Sequence, residues 1–167
     1  FPGDFSCERI PTLRELLELC RGRIVVLVDA NKTDRVDLLV QAIRDADAID
    51  WAIFDTSSID KIDRALAIEP RLHFMIRPSS VAEIEPQWRH FSRPPSIVEL
   101  ERQDGRAGSE VVHRLGGRSF TDVFGEDVIF RLNGETSGFA AAYNEGLDIL
   151  QSDVPDVVLR VAQQRGR

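Results

Sequence analysis

The chain has 167 residues, 43% of them hydrophobic, and a formal net charge of −7, which is one domain's length with enough apolar content to bury a core. Acids and bases are interleaved and there is no basic block, which argues against a nucleic-acid-binding face, because neutralising a phosphate backbone takes clustered Lys and Arg. No apolar run approaches the ~20 residues of a membrane-spanning helix, and nothing in the sequence assigns a compartment.

Phe1 to Glu8 carries neither a signal-peptide pattern nor a strand pattern and reads as a loop entered from upstream. Thr12 to Arg21 predicts an amphipathic helix: Thr12 and Glu15 are spaced for a capping box, Leu13, Leu16, Leu17 and Cys20 share a face, and Gly22 ends it. Ile24 to Val28 is an unbroken run of β-branched residues and leucine, the pattern of a strand covered on both faces. A helix over Asp34–Ala48 follows, then a strand over Trp51–Phe54, a helix over Ile59–Ile68 and a strand over Leu72–Ile76. Pro78-Ser79-Ser80 opens a helix through Val81, Ile84, Trp88 and Phe91, which Pro94-Pro95 breaks. Next come a strand at Ile97–Leu100, a helix at Ser109–Leu115, a strand at Val128–Leu132, a helix at Gly138–Glu145 and a strand at Leu147–Leu150. Ser152-Asp153 then offers a helix N-cap, and Pro155 suits the first turn of a last helix. Six βα units predict one α/β domain over residues 1–167, either an open doubly wound sheet or part of a (β/α)8 barrel. No Gly-x-Gly-x-x-Gly loop supports dinucleotide binding.

Three stretches stand in a telling order: Ile10-Pro11-Thr12-Leu13-Arg14-Glu15, then Arg23 to Lys32, then Gly146-Leu147-Asp148-Ile149-Leu150-Gln151-Ser152-Asp153-Val154-Pro155. They resemble the glycerophosphodiester phosphodiesterases, which read Ile-Pro-Thr-Leu-Glu-Glu, a strand ending in Glu-x-Lys, and Gly-Val-Asp-Gly-Ile-x-Thr-Asp-x-Pro. The resemblance implies a TIM-type (β/α)8 barrel, here incomplete, with about six βα units and the first strands missing. It implies hydrolysis of phospholipid-derived glycerophosphodiesters with Ca²⁺ or Mg²⁺ as cofactor. Asp29 takes the place of a metal-ligating Glu, Asn31 that of a basic residue near the phosphate, and Lys32 is displaced by one. Arg131-Leu132-Asn133 stands where the family carries Trp-Thr-Val-Asn. The family's two general acid/base histidines, one of them in a His-Arg-Gly motif, have no counterpart in this chain, so no catalytic residue is assigned to it.

A βα barrel keeps its chemistry at the carboxyl ends of its strands. The side chains expected there are Asp29, Asn31 and Lys32; Asp55, Thr56 and Ser57; Arg77; Glu99 and Glu101; Arg131 and Asn133; Ser152 and Asp153. Carboxylates beside cations suit a divalent ion and a phosphate ester. Asp29 is the candidate metal ligand, and Lys32, Glu99, Arg131 and Asn133 are the candidate substrate contacts. Glu99 alternates with apolar neighbours, so an inward charge there needs a partner such as Arg131 or Lys32. His73, His90 and His113 fall at a strand start and on helices, away from that rim. Cys7 and Cys20 lack metal spacing, and their pairing stays open. A sheet missing two strands has open edges over an interior of Val26, Val28, Ile53, Met75, Val98, Ile129 and Ile149 or their immediate neighbours, and the expected outcome is self-association or aggregation. The alternative function is a non-catalytic binding or structural domain on a degenerate barrel.

Overall fold

The computed structural model describes Asp4 and residues 6–166. The reading of Phe1-Pro2-Gly3 and Phe5 lies outside the described residues. Among the described residues short strands alternate with helices, in two compact units that divide between His73 and Phe74.

The first unit holds α1 (Leu13–Cys20), β1 (Val26–Asp29), α2 (Val36–Asp45), β2 (Ala52–Asp55) and α3 (Ile59–Ile68). Helix α1 begins as its sequence demands. The Thr12 hydroxyl accepts from the Glu15 amide at 3.3 Å, and the Glu15 carboxylate accepts from the Thr12 amide at 2.9 Å, so the box satisfies two orphan donors at once. α1 packs on α2 and α2 on α3. β1 and β2 pair in parallel, Val26 opposite Ala52 and Asp29 opposite Asp55. All four β2 residues are buried, as the both-faces-covered composition predicts.

The second unit begins inside β3 (His73–Ile76), at Phe74, and runs through α4 (Val81–His90), β4 (Ile97–Glu99), α5 (Gly105–Arg114), β5 (Ser119–Asp122), α6 (Phe124–Asn133), α7 (Ser137–Asn144), β6 (Ile149–Gln151) and α8 (Pro155–Gln164). A short 3₁₀ turn, Arg102–Asp104, leads into α5. Its strands are parallel and lie in chain order, β3-β4-β5-β6. Pro155 occupies the first turn of α8.

The fifth strand is not where the apolar pattern puts it. Val128–Leu132 lies inside α6, and the strand is Ser119-Phe120-Thr121-Asp122. Glu126 and Asp127 favour the first turn of α6, and Gly134 ends it with φ 77°, its amide donating to the Phe130 carbonyl at 2.7 Å. Asn133-Gly134 is thus the terminus of a helix. Strand β5 escapes a hydrophobicity reading because Ser119 and Thr121 are polar yet fully buried. Their hydroxyls are bonded: Ser109 Oγ lies 3.1 Å from Ser119 Oγ, and Thr121 Oγ1 donates to the Leu100 carbonyl at 2.8 Å. Ile129, expected in the interior, is consequently half exposed. Cys7 is exposed, Cys20 is buried, and both are free thiols.

Asp148, just ahead of β6, ties together the amino-terminal ends of two strands and the last turn of α5. It accepts from the Ser119 amide at 2.9 Å and the Ser119 hydroxyl at 3.1 Å, and it faces His113 Nε2 at 2.8 Å. Burial pushes its carboxyl up, but the Ser119 amide and His113 outweigh that and hold it below the ordinary aspartate value. A carboxyl depressed by folding stabilises above its unfolded value of about 3.9, and the contribution is lost as pH falls through the folded value. The stability gap between wild type and Asp148→Asn is therefore expected to shrink as pH falls from about 5 toward 2, as read from urea midpoints over that range. A gap that widens on acidification would contradict the assignment.

Candidate functional site

The rim of the first unit is built from the loops that leave β1 and β2. Asp29 ends β1, and its Oδ1 accepts the Asn31 amide at 2.8 Å, so this carboxylate shapes the turn that follows. Asn31 Oδ1 in turn accepts from Thr56 Oγ1 at 3.1 Å, the Ser57 amide at 3.1 Å and Ser57 Oγ at 3.2 Å. One side-chain carbonyl thereby fixes the β1 loop to the β2 loop. Asp55 is buried beneath them. Lys32 is exposed in the turn after β1. The lysine that grips this loop is Lys61, from the first turn of α3: its Nζ donates to the carbonyls of Ala30 at 3.0 Å and Thr33 at 2.9 Å and lies 3.3 Å from Asp34. An amphipathic reading of α3 gives Lys61 no signal, because its targets are backbone carbonyls about thirty residues away.

In the second unit, Glu99 at the end of β4 is half-buried, as the alternation predicts. Its partner is Arg77, which follows β3, with Nε 2.7 Å from Glu99 Oε2. This corrects the expected pairing with Arg131 or Lys32. Arg131 and Asn133 do not end a strand. Both sit in the last turn of α6, where Arg131 faces Asp153 at 3.4 Å and Asn133 Oδ1 accepts the Glu135 amide at 2.9 Å. The residue that ends this strand is the exposed Asp122. Ser152 and Asp153 do not cap α8 as expected either. The Ser152 hydroxyl accepts the Val154 amide at 2.9 Å while donating to Asp127 Oδ1 at 2.6 Å, and the Asp153 amide donates to Asp127 Oδ2 at 2.7 Å. Arg102 clasps Glu126 of α6 at 3.0 Å and Glu145 beyond α7. Helix α6 is thus mounted beside the strand ends by its acidic face, leaving Phe124, Val128 and Leu132 outward.

Among the described residues, no three of His, Cys, Asp and Glu converge as a metal site needs. Asp29 offers a carboxylate with one oxygen already taken by Asn31, and Ca²⁺ or Mg²⁺ takes six or more oxygens. These residues alone do not fit the ion.

No protein-family model matches the chain, and no curated protein matches it. Solved structures do. A glycerophosphoryl diester phosphodiesterase from Parabacteroides distasonis ATCC 8503 superposes with a TM-score of 0.73 at 19% identity, over 94% of this chain and 56% of that one. The chain has the fold of the glycerophosphodiester phosphodiesterases. One from Agrobacterium tumefaciens str. C58 gives 0.69 at 18% identity over 92% of this chain and 62% of its own. A second from P. distasonis gives 0.70 at 14% identity over 94% and 66%. The chain spans between 56% and 66% of the length of these structures. No helix among the described residues is long and apolar enough to cross a membrane.

Proposed function

We propose that the chain is the larger part of a (β/α)8-barrel hydrolase that cleaves glycerophosphodiesters into an alcohol and a phosphomonoester, with Ca²⁺ or Mg²⁺ as cofactor. The observation that carries the reading is a superposition over 94% of the chain at a TM-score of 0.73. In this reading Asp29 and Lys32 of the first unit are its metal and substrate contacts, and the Arg77–Glu99 pair of the second unit is a held guanidinium suited to a phosphate. A guanidinium fixed by a carboxylate keeps its planar fork oriented, which suits phosphate oxygens. The general acid and base come from outside these 167 residues.

A second reading, a binding or structural domain without turnover, draws on the three hydrogen bonds that lock Asn31 Oδ1 to Thr56 and Ser57. The position expected to carry a cation toward the phosphate serves loop geometry instead.

The coding sequence ahead of Phe1 separates the two, and the first reading expects an in-frame His-Arg-Gly there. The longer protein is expected to hydrolyse glycerophosphocholine in a Ca²⁺- or Mg²⁺-dependent way, and the 167-residue chain to show no turnover. Asp29→Ala in the longer protein is expected to lower kcat/KM and metal affinity together, by at least about tenfold. Unchanged activity in Asp29→Ala would remove that residue from the site, and turnover by the 167 residues alone would overturn the argument about the acid and base.

A further inference from the structure

The turn that leaves β1 has no apolar anchor. Ala30 and Val36 are buried, and residues 31–35 between them are not, so the turn depends on polar bonds for its shape. Those that reach it from α3 come from Lys61 and, one turn further on, Arg64, whose Nη2 donates to the Asp34 carbonyl at 2.9 Å. Lys61 starts from a fixed backbone, because its amide donates to the capping Ser58 hydroxyl at 3.3 Å. Its side chain is 14% exposed, and Nζ donates to the carbonyls of Ala30 at 3.0 Å and Thr33 at 2.9 Å. The ammonium also faces Asp34 at 3.3 Å, but that carboxylate is 91% exposed and adds little. The hold lies with the two carbonyls, through bonds strengthened by the charge on the donor.

Those carbonyls bracket Asn31 and Lys32. On the near side the chain is doubly tied, since the Ala30 amide donates to the Asp55 carbonyl at 2.8 Å and Asn31 is bonded to Thr56 and Ser57. On the far side Thr33 depends on Lys61. Lys32 itself is exposed, and its amine is offered no ion pair or hydrogen bond among the described residues. One lysine is thus spent on holding the backbone on both sides of the other, which keeps its charge uncommitted. A cation without a partner on a turn pinned at both ends is set to meet an anion with little ordering left to do.

We propose that Lys61 is a positioning residue of this rim: it pins the turn on both sides of Lys32 and so fixes where the Lys32 ammonium meets the phosphate of a substrate. The inference rests on the enzymatic reading, in which Lys32 is a substrate contact, and adds to it a residue of α3 that acts only through the loop it holds.

The test is a double-mutant cycle of Lys32→Met and Lys61→Met in the longer protein, with glycerophosphocholine as substrate, joined to amide exchange in the 167-residue chain and its Lys61→Met variant. Folding of each is checked by urea unfolding. Lys32→Met is expected to raise KM by at least about tenfold with kcat within about threefold, the mark of a contact made equally before and during the reaction. Lys61→Met is expected to raise KM by at least about fivefold alone, and by less than about twofold once Lys32 is gone. The Asn31 and Arg35 amides, bonded to Asp29 Oδ1 at 2.8 Å and Thr33 Oγ1 at 3.1 Å, are expected to exchange at least about fivefold faster in Lys61→Met. The Val26 amide, bonded to the Trp51 carbonyl, is expected to stay within about twofold. In an active protein, a KM that ignores either single substitution, or equal losses from Lys61→Met in both backgrounds, overturns the positioning role and leaves the enzymatic reading standing. Unchanged exchange at Asn31 and Arg35 overturns the pinning whatever the kinetics. A longer wild-type protein without turnover overturns the enzymatic reading and the positioning role together.

Discussion

Asp127→Ala is expected to lower the unfolding free energy by about 2–4 kcal/mol, as large an effect as a core cavity. Asp127 is 1% exposed on α6, and its two oxygens are the acceptors for the Ser152 hydroxyl at 2.6 Å and the Asp153 amide at 2.7 Å. Truncation strands two part-buried donors, and each unsatisfied donor costs about 1–3 kcal/mol. Asp127→Asn keeps one acceptor and sets an NH₂ against the other donor, so about half of that loss is expected. The readout is urea unfolding followed by Trp88 fluorescence in a Trp51→Phe background, which reports on the second unit alone. An alanine variant within about 0.5 kcal/mol of its parent would show that the loop between β6 and α8 holds itself without α6.

Phe54→Ala is expected to cost about 3–5 kcal/mol in the first unit. Phe54 is fully buried in β2, the strand whose every residue is covered. Removing its ring forfeits the transfer free energy of the side chain and leaves a cavity that a strand paired by backbone cannot collapse to fill. Phe54→Leu, which retains most of the volume, is expected to cost about 1–2 kcal/mol. Trp51 fluorescence in a Trp88→Phe background follows the transition. Residues 55–57 continue directly from this strand to the hydroxyls and amide that Asn31 holds. The same substitution is therefore expected to speed amide exchange at Ser57 more than at residues in the second unit. Equal acceleration in both units would mean that the strand carries no local control over its loop.

These two sites also mark what could be read from the amino acids. Phe54 was legible, because an Ala-Ile-Phe run between turn residues says buried strand in any α/β context. Asp127 was not. The apolar run Val128-Ile129-Phe130 beside it has strand composition, and helical identity came from flanking acids and a glycine terminus, whose signals are weaker than β-branched residues. Strand β5 was hidden for the opposite reason, since its buried faces carry Ser119 and Thr121, whose hydroxyls are satisfied only by partners distant in sequence. Misplacing that strand carried Arg131 and Asn133 to a rim they do not end. Glu99 shows the boundary within a single residue. Alternation located it correctly, but its partner Arg77 lies one βα unit earlier, and local pattern holds no record of pairing at that range.

The anchoring of the β1 loop by Lys61 has a practical side. The sequence contains two lysines, Lys32 and Lys61, against 19 arginines. The Lys61 side chain is only 14% exposed and its amine is engaged by two carbonyls and Asp34, whereas Lys32 is exposed. Amine-reactive reagents that spare the terminal amino group will therefore single out Lys32, three residues past Asp29. One dye or cross-linker placed there without mutagenesis watches the mouth of β1 from the edge of its own loop.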